Sequence, residues 1–392
     1  MAFTYTRSEL LSDINAGLRG KIGMISSQED FINRVVREVK NSITLRSARR
    51  KVTLSPDLFP GITQYACPAD LQDNRIIDIP AQVKRYDGSF GLVPVEQFNV
   101  SPRSGDIAID DYNGVRVLLI NSEVTTSSTV ISTLENTTSG GGTWTAVGDA
   151  ENVRDNNDDY VKGNGSVFFD IGAGGTTTAG IENTGLSTVD LTDFLGGHSS
   201  VFVWVRINST TNLTNFILKL GTDSSNYYSK TVAARHDGNA FQSGWNLLRF
   251  PLTSLTEIGT VTDSTINFAS VYMTKTAGKI SETDYAFNYL AVMRGVIHDI
   301  LYYSKYGWQN NAGTYLENSS SDSDVIVADT TEYELFVKHG VRRGMRLTNS
   351  AREDIDDADR EFDDAVATYS AQNPDESQLM VSTYHYYGNT AG

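Results

Sequence analysis

Cysteine is almost absent from this chain, and its absence limits what can hold the fold together. Cys67 is the single cysteine among 392 residues, so neither an intrachain disulfide nor a cysteine-based zinc cluster can form. The N-terminus has no apolar signal core, and no apolar run approaches the length of a transmembrane helix. We therefore expect a chain that is made in a cytosol and has no membrane partner.

Basic residues are also fewer than acidic residues. The chain has 32 Lys and Arg against 48 Asp and Glu, a formal net charge of −16. This balance disfavours sequence-specific or general binding of nucleic acid. The charge is uneven, because residues 1–51 carry ten basic and five acidic side chains whereas residues 350–376 carry two and ten. Opposite signs at the two ends suit docking of the ends on each other or contacts between neighbouring subunits, and both alternatives stay open.

Sequence signatures of catalysis are missing as well. The chain has no P-loop, no Rossmann glycine fingerprint, no His-Glu-x-x-His and no Gly-x-Ser-x-Gly. Its five histidines are scattered singly. We predict no catalytic residues, no cofactor and no metal, and therefore no enzyme. A pair of carboxylates for glycoside hydrolysis stays open, because the separation of such a pair is a three-dimensional property.

One acidic run has the opening spacing of a calcium-binding loop. In Asp155–Asp159 the alternating oxygens suit calcium, but Tyr160 and Ser166 stand where an EF-hand requires Gly and Glu. The EF-hand interpretation therefore fails. A solvated acidic turn is expected, with a calcium held between loops as the alternative.

The clearest pattern that is present is a pair of helices over residues 329–369. Asp329 and Glu332 have the spacing of an N-cap residue and a carboxylate that reaches back to it. Gly340 and Gly344 lie one turn apart on the apolar face, where close approach of another helix would explain them. The same capping spacing opens three further predicted helices, at Ser350, Thr6 and Ser26. Helices from the two ends of the chain are therefore expected to pack together.

Between the terminal helices the pattern changes to short alternating segments separated by Gly, Pro and Asn. After a glycine-rich seam near Ser139, strand-like runs continue to about Arg294 with no helix-period segment between them. The run Val201–Val205 has no polar face, as expected for a central strand covered by a second sheet and by loops. Trp204 and Trp245 lie in or next to strands and are assigned to the core. This pattern is typical of a β-sandwich.

Aromatic side chains in or next to the predicted loops are the candidates for stacking on sugar rings. These candidate glycan contacts are Trp144, Tyr227 and Tyr228. Four stretches of this region resemble jelly-roll carbohydrate-binding modules and their galactose-binding-like relatives: Asp159–Asp170, Ser200–Val205, Gly244–Leu252 and Tyr285–Val292. The resemblance implies a jelly roll. Because the best-placed aromatic side chains of this region look internal, we expect at most weak glycan affinity. Asn288 stands where those modules often carry an acidic residue, which counts against a calcium site of their kind.

Three stretches outside this region carry a second resemblance. Tyr65–Asp70, Asp299–Tyr303 and Glu332–Tyr369 follow one another as in the head-to-tail adaptor (connector) proteins of tailed bacteriophages, which they resemble. The resemblance implies a structural virion protein in the neck between capsid and tail, made in the host cytoplasm. Its partners would be portal protein, tail or neck proteins and further copies of itself in a ring, dodecameric in that family. The alternative is a carbohydrate-binding module of a surface or secreted protein, or a polysaccharide-acting enzyme.

Together these patterns predict an α+β multidomain fold: a helical adaptor core with a small β portion, plus an inserted all-β jelly-roll sandwich. We place the adaptor domain at residues 1–128 and 295–373, the sandwich at 129–294 and a C-terminal tail at 374–392. The tail is expected to dock on the portal or a neighbouring subunit by adding to a sheet edge, with pairing inside its own chain as the alternative. Its docking residues are Leu379, Met380, Val381, Tyr384, Tyr386 and Tyr387.

Overall fold

Strands dominate the fold. The computed structural model describes the chain except for residues 1–4, 55–56, 80–83, 86, 113–114, 122–123, 125, 173, 196, 277–281 and 375–392. About 38% of the described residues lie in strands and 23% in helices. The prediction of a helical adaptor core with a small β portion is therefore wrong. The terminal regions, for which the sequence predicts helices with a few short strands, contribute strands to three small sheets.

Five helices occur in the described part of the chain. They are α1 (Arg7–Gly17), α2 (Gln28–Ser42), α3 (Val95–Val100), α4 (Thr330–Leu347) and α5 (Arg352–Gln372). The strands, in chain order, are β1 (Arg49–Thr53), β2 (Gln64–Ala66), β3 (Leu71–Asp78), β4 (Gly91–Leu92), β5 (Asp106–Tyr112), β6 (Val115–Ile120), β7 (Ser128–Ser132), β8 (Thr145–Gly148), β9 (Ala150–Asn156), β10 (Ser166–Ile171), β11 (Thr178–Asn183), β12 (Ser199–Ile207), β13 (Leu213–Asp223), β14 (Asn226–Val232), β15 (Gly244–Pro251), β16 (Thr256–Ile258), β17 (Phe268–Lys275), β18 (Glu282–Arg294), β19 (Asp299–Ser304), β20 (Trp308–Gln309), β21 (Tyr315–Leu316) and β22 (Val325–Ile326). None of the helices in the described part is both long enough and apolar enough to cross a membrane.

The chain forms two compact units, each with a hydrophobic core of its own. Unit 1 comprises Met1–Val52, Pro68–Asp78 and Ile300–Gly392, and unit 2 comprises Thr53–Cys67 and Ile79–Asp299. This is a division by compactness. The predicted domain boundaries concern which segments fold independently, and they stay a prediction.

In unit 1 the terminal helices pack together as the glycines predicted. A Cβ added to Gly340 would lie 2.2 Å from Ile14 Cδ1, and one added to Gly344 would lie 2.6 Å from Leu18 Cδ1. A Cβ at either position would therefore force the side chain of Ile14 or Leu18 to move while the helices stay this close. The predicted capping box at Asp329 and Glu332 is confirmed, with backbone-to-carboxylate distances of 2.9 and 3.1 Å.

The other helix starts were predicted with mixed success. The box at Thr6 and Glu9 is present at the start of α1. For α2 the N-cap is Ser27, one residue after the predicted Ser26. The prediction of Ser350 as the next cap is wrong, because α5 begins after Ala351 with no side-chain cap. The Ser350 N–H instead bonds to the carbonyl of Met345, so this residue belongs to the end of α4.

Unit 2 is built on a β-sandwich. Its first sheet has the order β15-β12-β18-β10-β9, with β7 also paired to β18, and its second sheet has the order β16-β14-β13-β17-β11-β8. Side chains alternate between the two faces of each strand. Those facing inward from both sheets, such as Val203 and Val271, form one core and are fully buried. A four-stranded sheet, β2-β6-β5-β4, completes the unit.

Candidate functional site

The outer face of the first sheet carries a cleft lined mainly by apolar side chains. On β12 the valines at 201, 203 and 205 face the sandwich core, so Phe202 and Trp204 face outward. Phe202 is covered by Phe59, whose ring centroid lies 4.8 Å away at an angle of 72°. Trp204 is only half-buried and lines a cavity of about 100 Å³. We call this cavity the Trp204 cleft; its walls are Gly61, Ile62, Thr63, Gln64, Lys162, Phe202, Trp204, His236, Leu247, Tyr289 and Met293.

A β-bulge in β18 brings a second aromatic ring into the cleft. Phe202 pairs with Ala291 and Trp204 with Asn288, so one residue of β12 stands opposite two residues of β18. Tyr289, one of those two, has φ 56°, in the left-handed region that a non-glycine residue rarely adopts. A bulge redirects side chains and is frequent beside functional sites. Here it places Asn288 and Tyr289 on the same side of the sheet.

The side chain of Asn288 holds the loop that carries the cleft's lysine. Its Oδ1 accepts from the backbone N–H groups of Val161 and Lys162 at 3.2 and 2.8 Å. Its Nδ2 donates to the carbonyls of Lys162 and Gly165 at 3.1 and 2.8 Å. A fully buried amide thus fixes the backbone on both sides of the lysine. The Nζ of Lys162 then lies 4.2 Å from the centroid of the Tyr289 ring.

His236 supplies a hydrogen-bond acceptor. Its Nε2 lies 3.0 Å from the carbonyl oxygen of Gln64, and because a carbonyl only accepts, Nε2 must carry the proton. Burial lowers the pKa of His236, so the ring is neutral near pH 7. Nδ1 is then an acceptor; it is buried and makes no hydrogen bond of good geometry among the described residues, although the backbone of Leu247 lies close enough to the ring to act on its pKa. A donor from water or a ligand would satisfy it.

The chemistry of the Trp204 cleft is that of a site for a polar molecule with an apolar face. Aromatic rings offer flat apolar surface, while Lys162 and the acceptor on His236 offer directional polar contacts. A cavity of about 100 Å³ has room for roughly three waters. It therefore seats one edge of a ligand, and the remainder would lie outside the cavity.

The predicted glycan contacts are dispersed over the sandwich. Trp144 is 1% exposed, belongs to the core and donates from Nε1 to the Ser139 carbonyl at 3.0 Å, so it offers no surface to a glycan. Tyr228 pairs with the core residue Leu220 and donates its hydroxyl to Asp263 at 2.7 Å. Burial and this bond raise its pKa to about 12. Neither residue contributes to an open binding surface.

Tyr227 is the one of the three that faces outward. It lies on the outer face of the second sheet opposite Gly221, and Tyr272 lies opposite Gly180 on the same face. The Nζ of Lys219 lies 4.5 Å from the Tyr227 ring centroid and 5.3 Å from that of Tyr272. We call these two tyrosines and Lys219 the tyrosine platform.

Carboxylates of the acidic run Asp155–Asp159 form hydrogen bonds and an ion pair within the protein. Asp155 accepts from the Thr137 N–H at 2.7 Å, and Asp159 accepts from Trp245 Nε1 and Arg206, each at 2.6 Å. Within the described ranges no group of three or more His, Cys, Asp or Glu side chains is arranged to hold a metal ion. The predicted docking residues Leu379, Met380, Val381, Tyr384, Tyr386 and Tyr387 lie outside the described residues.

Sequence reasoning missed the Trp204 cleft. It assigned Trp204 to the core, whereas the ring is half-buried on the outer face. Because side chains alternate along a strand, the run Val201–Val205 already places Phe202 and Trp204 on the face opposite to its valines. Tyr289 had no such signal, because the bulge breaks the alternation that parity relies on. His236 and Gln64 meet only through the tertiary fold.

No family model matches the chain, and no curated protein matches it. Among solved structures, the chain is similar to a family 11 carbohydrate-binding module of a Clostridium thermocellum cellulosomal cellulase, with 11% identity, a TM-score of 0.30, and coverage of 44% of this chain and 97% of the module. A family 30 carbohydrate-binding module from the same organism gives 10% identity, a TM-score of 0.32, and coverage of 43% and 98%. An arabinose-bound α-L-arabinofuranosidase gives 12% identity, a TM-score of 0.27, and coverage of 59% and 32%.

These similarities concern part of the chain, from 43% to 59% of its length. With TM-scores well below 0.5 they determine neither the fold nor the ligand of this chain, and both have to follow from its own geometry. Nothing in them supports the adaptor interpretation of the flanks.

Proposed function

We propose that the β-sandwich of unit 2 is a carbohydrate-binding module and that the Trp204 cleft is its binding site. The observation that carries the proposal is an outward-facing, half-buried Trp204 that lines one cavity together with Tyr289, Lys162 and the neutral ring of His236. A sugar presents an apolar ring face and a ring of hydroxyl donors. The first suits Trp204, and a hydroxyl suits His236 Nδ1.

The shape of the cleft indicates how a sugar would bind. The cavity admits one edge of a ring, so a hydroxyl would enter it while the ring face lies on Trp204. Because most of such a ligand stays outside the cavity, affinity would be modest and additional sugars would find few contacts. A chain end or a single residue of a polysaccharide is therefore the expected target.

The experiment compares two tryptophans on the same face of the first sheet. Trp204 pairs with Leu247 and Trp245 pairs with Arg206 across the same two strands, but only Trp204 lines the cavity. Affinity electrophoresis of the full chain in gels containing β-glucan, xylan or polygalacturonate identifies a glycan that binds the protein, because binding slows the protein's migration. For that glycan, Trp204→Ala should weaken binding about tenfold or more and Trp245→Ala about twofold or less.

A further variant tests the acceptor. His236→Phe keeps a ring of similar size but removes Nδ1 together with the Nε2 hydrogen bond to the Gln64 carbonyl, so it should weaken binding; near-UV circular dichroism close to that of the original chain shows that the fold survives the loss of that bond. Retention of binding by Trp204→Ala together with its loss in Tyr227→Ala would overturn the assignment and place the site on the tyrosine platform. Absence of retardation by every glycan would reject carbohydrate binding itself.

The adaptor role predicted from the flanks has no supporting observation in the structure or in the comparisons. Ring formation, portal and tail partners, a virion location and the absence of enzymatic activity stay predictions from the sequence. Mass measurement of the chain alone and mixed with a portal protein tests the first two.

A further inference from the structure

Lys162 is a half-buried cation in the Trp204 cleft that has no described carboxylate partner. Its backbone is fixed by Asn288, and the described contact of its Nζ is the face of the Tyr289 ring at 4.2 Å. Burial lowers the pKa of its amino group, and no neighbouring charge opposes that effect. An ammonium group that has lost water without gaining a counter-ion is unfavourable in the free protein.

The two charges that flank His236 in the chain cancel. Arg235 and Asp237 flank His236 in the chain and form an ion pair at 3.1 Å, with side chains 10% and 0% exposed. Arg235 also donates to the Gln64 side chain at 3.4 Å. His236 itself is neutral near pH 7, since burial lowers its pKa. The cleft therefore keeps one uncompensated positive charge, on a chain whose formal net charge is −16.

On this basis, and resting on the proposed function, we infer that the Trp204 cleft selects a glycan carrying an anionic group, which would lie against Lys162 Nζ. A single cation matches one negative charge per bound sugar. Two kinds of sugar supply it: a hexuronic acid through its carboxylate, and a sulfated sugar through its ester. The neutral acceptor on His236 remains available to a hydroxyl of the same sugar, and Trp204 to its ring face.

The test uses ligands that differ in charge but share a backbone. Oligogalacturonate carries a carboxylate on each sugar, and its methyl ester presents the same backbone without the charge. Sulfated and unsulfated galactan form the second pair. In titration calorimetry at low salt, the full chain should bind the charged member of at least one pair about tenfold more tightly than the neutral member. The preference should shrink as salt is raised, as expected for a partly exposed ion pair.

Variants then assign the preference to one residue. Lys162→Met keeps the length of the side chain and removes the charge, so it should abolish the preference for the charged over the neutral member of the pair. Lys162→Arg should restore the preference. Lys219→Met is the matched control, because Lys219 also lies over a tyrosine ring but on the other sheet, and it should leave the preference intact.

The results distinguish failure of this inference from failure of the proposed carbohydrate binding. Equal affinity for charged and neutral members, or a preference that survives Lys162→Met, overturns the inference. Binding of a neutral glycan that still depends on Trp204 would at the same time leave carbohydrate binding standing. Loss of the preference in Lys219→Met alone would assign it to the tyrosine platform and also overturn the inference.

Discussion

At the scale of single residues, unit 1 contains a lysine in its core. Lys40 is 1% exposed, and its Nζ donates to the carbonyl of Tyr306 at 2.5 Å. Burial and the nearby Arg50 lower its pKa to about 7, and Glu332 and Asp70 oppose the shift only in part. The charged form is therefore disfavoured in the folded chain.

This lysine makes stability depend on pH in a defined window. Between about pH 7, the folded pKa of Lys40, and about 10.4, the usual value in an unfolded chain, the unfolded state binds more protons. The free energy of unfolding should therefore rise with pH across this window. Lys40→Met removes the titrating group and should flatten the rise by up to roughly 1.4 kcal/mol per pH unit.

Urea denaturation at pH 7 and pH 9.5 measures how the free energy of unfolding changes with pH in the original chain and in Lys40→Met. Lys338→Met is the control, because Lys338 lies on α4 in the same unit with its Nζ paired to Glu361 at the surface. It should follow the pH dependence of the original chain. If Lys40→Met also keeps that dependence, the buried lysine is not the titrating group.

At the scale of elements, the contact of α1 with α4 depends on glycine. Gly340 faces the fully buried Ile14, and in return a Cβ on Gly17 of α1 would lie 2.3 Å from Val341 Cγ2. Each helix thus provides a glycine where the other provides a branched side chain. The contact joins elements more than 300 residues apart in the chain.

Gly340→Ala should destabilise unit 1 even though alanine favours the helix. The intrinsic gain is about 1 kcal/mol, whereas overpacking against Ile14 costs about 1–3 kcal/mol. Ile14→Ala alone should cost about 2–5 kcal/mol, because it leaves a cavity. In the double variant the new methyl group occupies part of that cavity, so the total loss should be smaller than the sum by about 1 kcal/mol or more.

Chemical denaturation of the two single variants and the double variant completes this cycle. Additivity within about 0.5 kcal/mol would show that the two side chains do not compete for the same space. An equal loss of unfolding free energy from Gly340→Ala in the original chain and in Ile14→Ala would show the same thing.

At the scale of the whole molecule, the two cores are separate. Phe336 lies in the core of unit 1 and Phe169 in that of unit 2, and both are fully buried. Truncation of either to alanine should cost about 3–5 kcal/mol in its own unit. Units with their own cores can unfold as separate cooperative steps.

Differential scanning calorimetry should therefore show two transitions. Phe336→Ala should lower the midpoint of one, and Phe169→Ala that of the other, each leaving the remaining midpoint within about a degree. A single transition that both variants lower together would show that the chain unfolds as one cooperative structure.

Local patterns predicted the elements of this chain better than their assembly. Capping at Asp329 and Thr6 and the glycine face of α4 were readable because they depend on residues within a few positions of one another. The fold class was wrong because short strands such as β20 and β22, of two residues each, have no periodicity to detect. The two-sheet sandwich was readable from its alternating strands.

The alternation of residues along the chain predicts that its middle forms a β-sandwich and that Trp204 lies on the face opposite to the neighbouring valines. That this outward face becomes a cleft depends on the tertiary fold. That step needs the bulge at Tyr289, the loop held by Asn288 and the contact of His236 with Gln64, residues 172 positions apart. Such contacts leave no local pattern, because they depend on how distant segments pack and not on the spacing of neighbouring side chains.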